Sequence, residues 1–368
     1  MAAFLDSNLI GTLVKDETDA RRRGAKVMDK SLKDIIPVGQ IYIRENVLLK
    51  GNVAGVKADK ASWAKDLSLP REAEHTFFAG CGYQFMRYLE GMAWASRSIR
   101  TAGVSLDRGI SLSLSMDRFL SKFGLDFSTP TAKLLALGRE ESYKRILVSA
   151  IHVLQKVGLE VGYLYDNEPC CGSPLFYAGF LDDYIENANR SYMGLKKLGV
   201  QKVIGFLPAC TASLKNLYPQ YVDGFDLKTY HFSEIVLEQL KKTRIRPKLS
   251  EKVIVTYHDP CQLSRYLNLI EEPREILLSI ENLELREPQA LRCGQWSTCC
   301  GGGGLEGNSP ELSERLGQRR VEELLSTDAH IIVTHCPACI MQLRTSVKKM
   351  RADAMVLDLV EILDRALP

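Results

Sequence analysis

Little in this chain of 368 residues draws it towards nucleic acid, membrane or export. The formal net charge is only +3, so it has no basic field of the kind that holds a phosphate backbone. No uncharged apolar run approaches the roughly 18 residues needed to span a bilayer. The N-terminus, Met1-Ala2-Ala3-Phe4-Leu5-Asp6, lacks a basic stretch followed by an apolar one and does not read as a secretion signal. Acidic residues at Asp6, Asp16, Glu17 and Asp19 argue against a mitochondrial presequence. With those classes set aside, a hydrophobic content of 45% leaves an ordinary globular chain, long enough for two domains.

What the chain does have is cysteine. Ten of them in a long chain with no secretion signal argue against a disulfide scaffold. A reducing cytoplasm would keep such thiols free for metal, and a cytoplasmic location is the expectation. Cys170-Cys171-Gly172 and Cys299-Cys300-Gly301 lie 129 positions apart, and Cys210 and Cys339 differ by the same 129. Cysteines recurring in phase point to an internal duplication. Thiolates at this density and fixed spacing are characteristic of iron–sulfur ligation.

The apolar pattern supports two α/β halves. His75–Gly80, Val203–Phe206, Lys252–Tyr257 and Ile331–Thr334 read as short buried strands, each delivering a cysteine-bearing segment at its carboxyl end. Helical patterns over Leu181–Leu198 and Glu311–Leu325 alternate with them, which suggests parallel sheets covered on both faces. Open α/β sheets place ligands at strand carboxyl ends. Cys81 and Cys261 are 180 positions apart while the other pairs differ by 129, so the first half carries 51 extra residues, expected around Thr101–Glu141 and including the Ser/Leu alternation of Gly109–Met116. The expected organisation is a mainly helical lead-in over 1–72, a first repeat over 73–248 with an insertion near 95–145, and a second repeat over 249–368.

Small residues are needed where backbone passes close to inorganic sulfide. Gly301-Gly302-Gly303-Gly304 supplies them after the second cysteine pair, and the amides of Gly301 and Gly302 are candidate hydrogen-bond donors to a cluster. Cys336-Pro337-Ala338-Cys339 sits at an expected strand-to-helix junction, where proline suits the first turn and the helix end favours thiolate. Adjacent cysteines diverge in extended backbone, which suits an unusual cluster better than a tetrahedral zinc ion.

This arrangement resembles the cysteine-rich CCG domain family, best known from the B- and D-type subunits of heterodisulfide reductases. The second copy is complete, with Cys261, Cys299, Cys300, Cys336 and Cys339; the first has Cys81, Cys170, Cys171 and Cys210, with Leu207 where a fifth cysteine would stand. Arg44-Glu45-Asn46, Ala54-Gly55 and Trp63-Ala64-Lys65-Asp66 look like the family's lead-in, so the resemblance covers roughly 40–345. It implies a fold of two pseudo-symmetric Rossmann-like βα repeats. It also implies a noncubane [4Fe–4S] cluster on the second repeat, and an iron–sulfur oxidoreductase subunit moving electrons one at a time to or from a thiol/disulfide couple. For the first repeat a cluster with an open iron, a smaller or cubane cluster, and a zinc ion all stay open. Relatives of this kind often carry a ferredoxin-like Cys-x-x-Cys-x-x-Cys-x-x-x-Cys-Pro segment, which this sequence lacks. Ferredoxin-like or flavin-bearing partner subunits in a hetero-oligomeric complex are therefore expected, with a non-catalytic electron-transfer subunit or a zinc-stabilised structural subunit as alternatives.

His258 and His335 flank cysteines and are candidate catalytic proton donors to a leaving thiolate, the competing role being hydrogen bonding to ligands. Cys293 has no counterpart in the first copy and reads as a spare thiol. A thioredoxin-type role for Cys336-Pro337-Ala338-Cys339 leaves the two Cys-Cys-Gly pairs unexplained. The run Arg21-Arg22-Arg23 reads as a solvated helix face.

Overall fold

The runs that read as strands become the centres of two sheets. In the computed structural model, which describes residues 36–56, 60–101, 115–116, 119, 128–137 and 141–368, strands β1 (His75–Phe78), β2 (Gly162–Tyr163), β3 (Lys202–Gly205) and β4 (Lys228–His231) form one sheet, and β5 (Lys248–Tyr257), β6 (Glu281–Leu285), β7 (Ile331–Thr334) and β8 (Met355–Asp358) form the other. The orders are β2-β1-β3-β4 and β6-β5-β7-β8, and every pairing is parallel. The second sheet repeats the first strand for strand. The chain is therefore an α/β protein of two pseudo-symmetric Rossmann-like repeats, with helices on the sheets because parallel strands require crossovers.

The insertion can be placed by comparing crossovers. One helix, Glu271–Leu278, joins β5 to β6, whereas Cys81–Gln84, Met86–Thr101, Ser128–Leu135 and Glu141–Lys156 lie between β1 and β2. Glu141–Lys156 is the crossover helix that leads into β2, as Glu271–Leu278 leads into β6. Most of Gly109–Met116, and the run Arg21-Arg22-Arg23, lie outside the described residues.

Of the lead-in, Val38–Lys50 is helical, with Pro37 setting its start and left-handed Gly51 (φ 67°) ending it. It is tied to the first repeat. Arg44 grips both oxygens of Asp183, from Nε at 2.5 Å and Nη2 at 2.9 Å, and the Trp63 indole donates to the Tyr163 hydroxyl at 3.1 Å.

The repeats share one core. A continuous cluster of buried side chains runs from Phe77, Ile204 and Phe206 to Val255, Val333 and Leu363. The C-terminal helix Leu359–Ala366 packs on the crossover helix of the first repeat, where Lys156 Nζ donates to the Asp364 carbonyl at 2.8 Å. Both repeats start the helix after their fourth strand in the same way, by capping boxes of His231 with Glu234 and Asp358 with Glu361.

Candidate metal centres

Each cysteine follows a strand as the sequence implied. Cys81 opens the turn after β1 and Cys261 the turn after β5; Cys210 and Cys339 lie in the first turns of helices Pro208–Ala212 and Pro337–Met350, each begun by proline. All ten cysteines are free thiols. In the first repeat Cys81 and Cys170 have their sulfurs 4.0 Å apart and Cys171 and Cys210 3.0 Å, and all four are buried. In the second, Cys300 Sγ lies 3.3 Å from Cys339 Sγ. Cys261 is within electrostatic reach of Cys336 and Cys300, Cys299 of Cys300 and Cys261, and Cys339 of Cys336. Three close sulfur pairs are thus formed, Cys81–Cys170 and Cys171–Cys210 in the first repeat and Cys300–Cys339 in the second. Free thiols held this close in pairs are placed as ligands of a shared metal centre would be.

The backbone is shaped for the same purpose. Gly301 N–H points at Cys299 Sγ and Gly302 N–H at Cys300 Sγ, each at 3.3 Å. Gly301 is left-handed (φ 80°), and a Cβ there would meet the Ser313 carbonyl oxygen at 2.3 Å; one on Gly302 would meet that of Ala338 at 2.8 Å. No side chain fits at either position. Gly172, the counterpart of Gly301, is also left-handed, at φ 74°.

The thiols act strongly on one another. Hydrogen bonds from Cys299 and then Cys339 make Cys300 the sulfur that keeps negative charge, well below the usual thiol range. The same bonds push Cys299 and Cys339 up. Burial lifts Cys261 to about 11. In the first repeat the hydrogen bond with Cys171 raises Cys170 to about 12. At Cys210 the bond from Cys171 pulls downward, but burial and neighbouring thiolates leave it at about 11. Such a crowd accepts more negative charge only with a cation among it, and loading would release protons. The donor set, its spacing and the amide cradle fit an iron–sulfur cluster.

The two centres are adjacent across the repeat boundary. The Cys81–Gln84 turn packs on the Pro337–Met350 helix of the second repeat, and the Pro208–Ala212 helix packs on the Gln262–Tyr266 turn after Cys261. Leu207 occupies the position of the missing cysteine with its side chain over the Cys81 turn: a Cβ on Gly80 would lie 2.7 Å from Leu207 Cβ, and one on Gly82 2.9 Å from Leu207 Cδ2. The four cysteines of the first repeat are buried, Cys170 at the floor of an open cavity lined also by Asn187 and Arg190, while Cys261, Cys299 and Cys336 of the second are partly exposed.

The two candidate histidines part company. His258 is buried, and its Nδ1 accepts from Arg320 Nε at 3.0 Å, which places the ring proton on Nε2. That nitrogen has no partner at ordinary hydrogen-bond range. It faces Cys300, whose thiolate it helps to stabilise, and ligand atoms of His258, Cys300 and Cys339 all lie within 4.8 Å of one another. His335 goes elsewhere. Its Nδ1 pairs with Asp358 Oδ1 at 2.8 Å, and its ring packs against Phe206, Phe232 and His231 between the repeats. Asp358, which also accepts from the Tyr83 hydroxyl at 2.5 Å, holds His335 through Nδ1 and leaves its buried Nε2 without a hydrogen-bond partner.

Several contributors escaped the sequence reading. Glu168 is buried, and its carboxylate accepts from Ala79 N at 2.9 Å, Gly80 N at 3.0 Å and Gln84 Nε2 at 2.9 Å, fixing the turn that carries Cys81. Asn187 and Ser191 donate to the Cys170 carbonyl at 2.9 and 3.0 Å. Arg320 stands 129 residues after Ser191, and that phase is the one signal that could have marked it as belonging beside a centre. Cys293 feels Glu287 and Arg274, after burial, rather than the five thiols.

The geometry agrees with the comparisons. Residues 136–215 and 255–344 each match the CCG cysteine-rich domain, so the matched segments fall in both repeats. The first match begins at residue 136, so Cys81 falls outside it although its sulfur lies 4.0 Å from that of Cys170. Among similar proteins is the B-type subunit of the fumarate reductase (CoM/CoB) of Methanothermobacter marburgensis, 34% identical over 60% of this chain and 42% of that protein. The D-type subunit of the dihydromethanophenazine:CoB–CoM heterodisulfide reductase of Methanosarcina mazei is 31% identical over 58% and 53%. An EtfAB:quinone oxidoreductase of Syntrophomonas wolfei is 29% identical over 75% of this chain and 38% of its own length. The chain thus spans about half, or less, of the curated relatives it matches. No helix among the described residues is long and apolar enough to cross a membrane.

Proposed function

We propose that this chain is an iron–sulfur redox subunit whose second-repeat centre exchanges electrons, one at a time, with a thiol/disulfide couple. The observation that carries this reading is the contrast in exposure: three of the five second-repeat thiols reach solvent, whereas all four first-repeat thiols are buried. Cys261, Cys299, Cys300, Cys336 and Cys339 would hold a noncubane [4Fe–4S] cluster, and Cys81, Cys170, Cys171 and Cys210 a second iron–sulfur cluster that relays electrons. A cluster at the open centre supplies one-electron chemistry and an iron able to take substrate sulfur. Around it Gly301 and Gly302 hydrogen-bond ligand sulfur, His258 presents Nε2–H to Cys300, and Arg320 holds His258 in that tautomer. In the overall conversion one S–S bond breaks, and two electrons and two protons yield two thiols. The electrons come from ferredoxin-like or flavin-bearing partner subunits and the protons from solvent at the open face.

The test is turnover by the full chain loaded anaerobically with iron and sulfide, with reduced methyl viologen as donor and cystamine as disulfide. Two donor equivalents oxidised per two thiols released is the expected result. A loaded chain that leaves cystamine intact while still accepting viologen electrons is a relay and not a disulfide reductase.

Leu207→Cys offers a separate check of the first centre. Placed where the leucine now packs over the Cys81 turn, the new thiol completes a five-cysteine set, and a second paramagnetic signal like that of the other repeat is expected, at a cost of about 1–3 kcal/mol for the lost packing. An unchanged spectrum would show that position 207 lies outside ligand reach.

A further inference from the structure

An aromatic wall stands between the two centres, and the redox reading leaves it without a role. Tyr177 ends the short helix that follows Cys170-Cys171-Gly172, and Tyr266 ends the turn that follows Cys261. Their rings meet edge to face across the repeat boundary, with centroids 5.3 Å apart at 75°. The Tyr177 hydroxyl donates to Gln262 Oε1 at 2.9 Å, and Asn216 Nδ2 donates to the Tyr266 carbonyl at 2.6 Å, so each tyrosine is held from the opposite repeat. Both remain open to water all the same, Tyr177 39% and Tyr266 48% exposed. Tyr177 is within electrostatic reach of Cys171 in the first-repeat centre and Cys261 in the open one, and Tyr266 is within reach of Cys261. Both rings thus stand exposed beside the turn that begins at Cys261, Tyr177 through its bond to Gln262 and Tyr266 as the end of that turn.

We infer that Tyr177 and Tyr266 are specificity-determining residues that select, for the second-repeat centre, thiols and disulfides with an aromatic ring close to the sulfur. This rests on the reading of that centre as one that takes substrate sulfur. A ring one carbon from the sulfur would reach the exposed tyrosine faces in offset or edge-on geometry. Aromatic pairing of that kind adds about three- to tenfold in affinity beyond the area it buries.

The test uses the full chain loaded anaerobically with iron and sulfide, and two thiols of similar size, benzyl mercaptan and cyclohexylmethanethiol. The thiol concentration that half-converts the electron paramagnetic resonance spectrum is read for each. In the wild-type chain benzyl mercaptan is expected to act at about three- to tenfold lower concentration. Tyr177→Leu combined with Tyr266→Leu is expected to bring the two thiols within about twofold, while Tyr177→Phe, which keeps the ring and gives up the Gln262 hydrogen bond, retains the preference. Iron content measured before thiol is added shows whether a variant has loaded; if one has not, the wild-type comparison decides alone. Equal half-conversion in wild type, or a preference that survives the double leucine variant, overturns the aromatic wall and leaves the redox reading standing. A spectrum that neither thiol alters overturns both.

Discussion

Replacing Cys300 with alanine is expected to abolish the paramagnetic signal of the second-repeat centre and to lower disulfide turnover at least about a hundredfold, while the iron held by the first repeat stays. Cys300 is the sulfur on which the others depend. It lies 3.3 Å from Cys339, takes the Gly302 N–H, and is stabilised as thiolate by Cys299, Cys339 and His258. Its removal takes a ligand sulfur from the middle of the set, the one on which negative charge is favoured by its neighbours, and leaves Cys261, Cys299, Cys336 and Cys339 to hold the centre with one ligand fewer. Iron and sulfide quantification with electron paramagnetic resonance checks the expectation. Cys293→Ala serves as the comparison, because Cys293 shares its surroundings with Glu287 and Arg274; its spectrum is expected to match wild type. Retention of the second-repeat signal in Cys300→Ala would remove the residue from the ligand set.

The four strands that stood out in the sequence are β1, β3, β5 and β7, and each is an interior strand of its sheet. Interior strands are covered on both faces and so must be apolar throughout, as Ile331-Ile332-Val333 is. The edge strands β4 and β6 carry Lys228, Glu281 and Glu284 and give no comparable run, because an edge is half solvated. The cysteines were legible for a similar reason: the duplication keeps them in phase whatever lies between. What could not be read was direction across the repeat boundary. That the Cys81 turn packs on the Pro337 helix, that Leu207 closes over Gly80 and Gly82, and that His335 turns to Asp358 while His258 turns to Cys300 all depend on how two halves meet. Periodicity within one half carries no such information. Arg320 is the sharpest case. Its helix is charged in sequence, yet the side chain is 0% exposed.

Arg320→Met is the second substitution with a large expected effect, and it tests whether that buried charge tunes the centre or only supports it. The guanidinium donates to His258 Nδ1 at 3.0 Å, to the Arg292 carbonyl at 2.7 Å and to Glu323 Oε2 at 3.2 Å. Breaking a buried charge pair costs about 3–5 kcal/mol when the partner is left alone. Glu323 keeps Arg292 and Arg319 as partners, so the lower end, about 3 kcal/mol, is expected from denaturant unfolding of the loaded chain. The more telling readout is electrochemical. Without Arg320 nothing fixes the proton on His258 Nε2, and the donor facing Cys300 is weakened together with the loss of a buried positive charge. Both changes disfavour the reduced, more negative state of the centre, so its midpoint potential is expected to fall while that of the first-repeat centre stays put. A redox titration followed by electron paramagnetic resonance separates the two roles: a destabilised chain whose second-repeat potential has not moved would mean that Arg320 holds helix Pro310–Leu325 in place and leaves the chemistry to the cysteines.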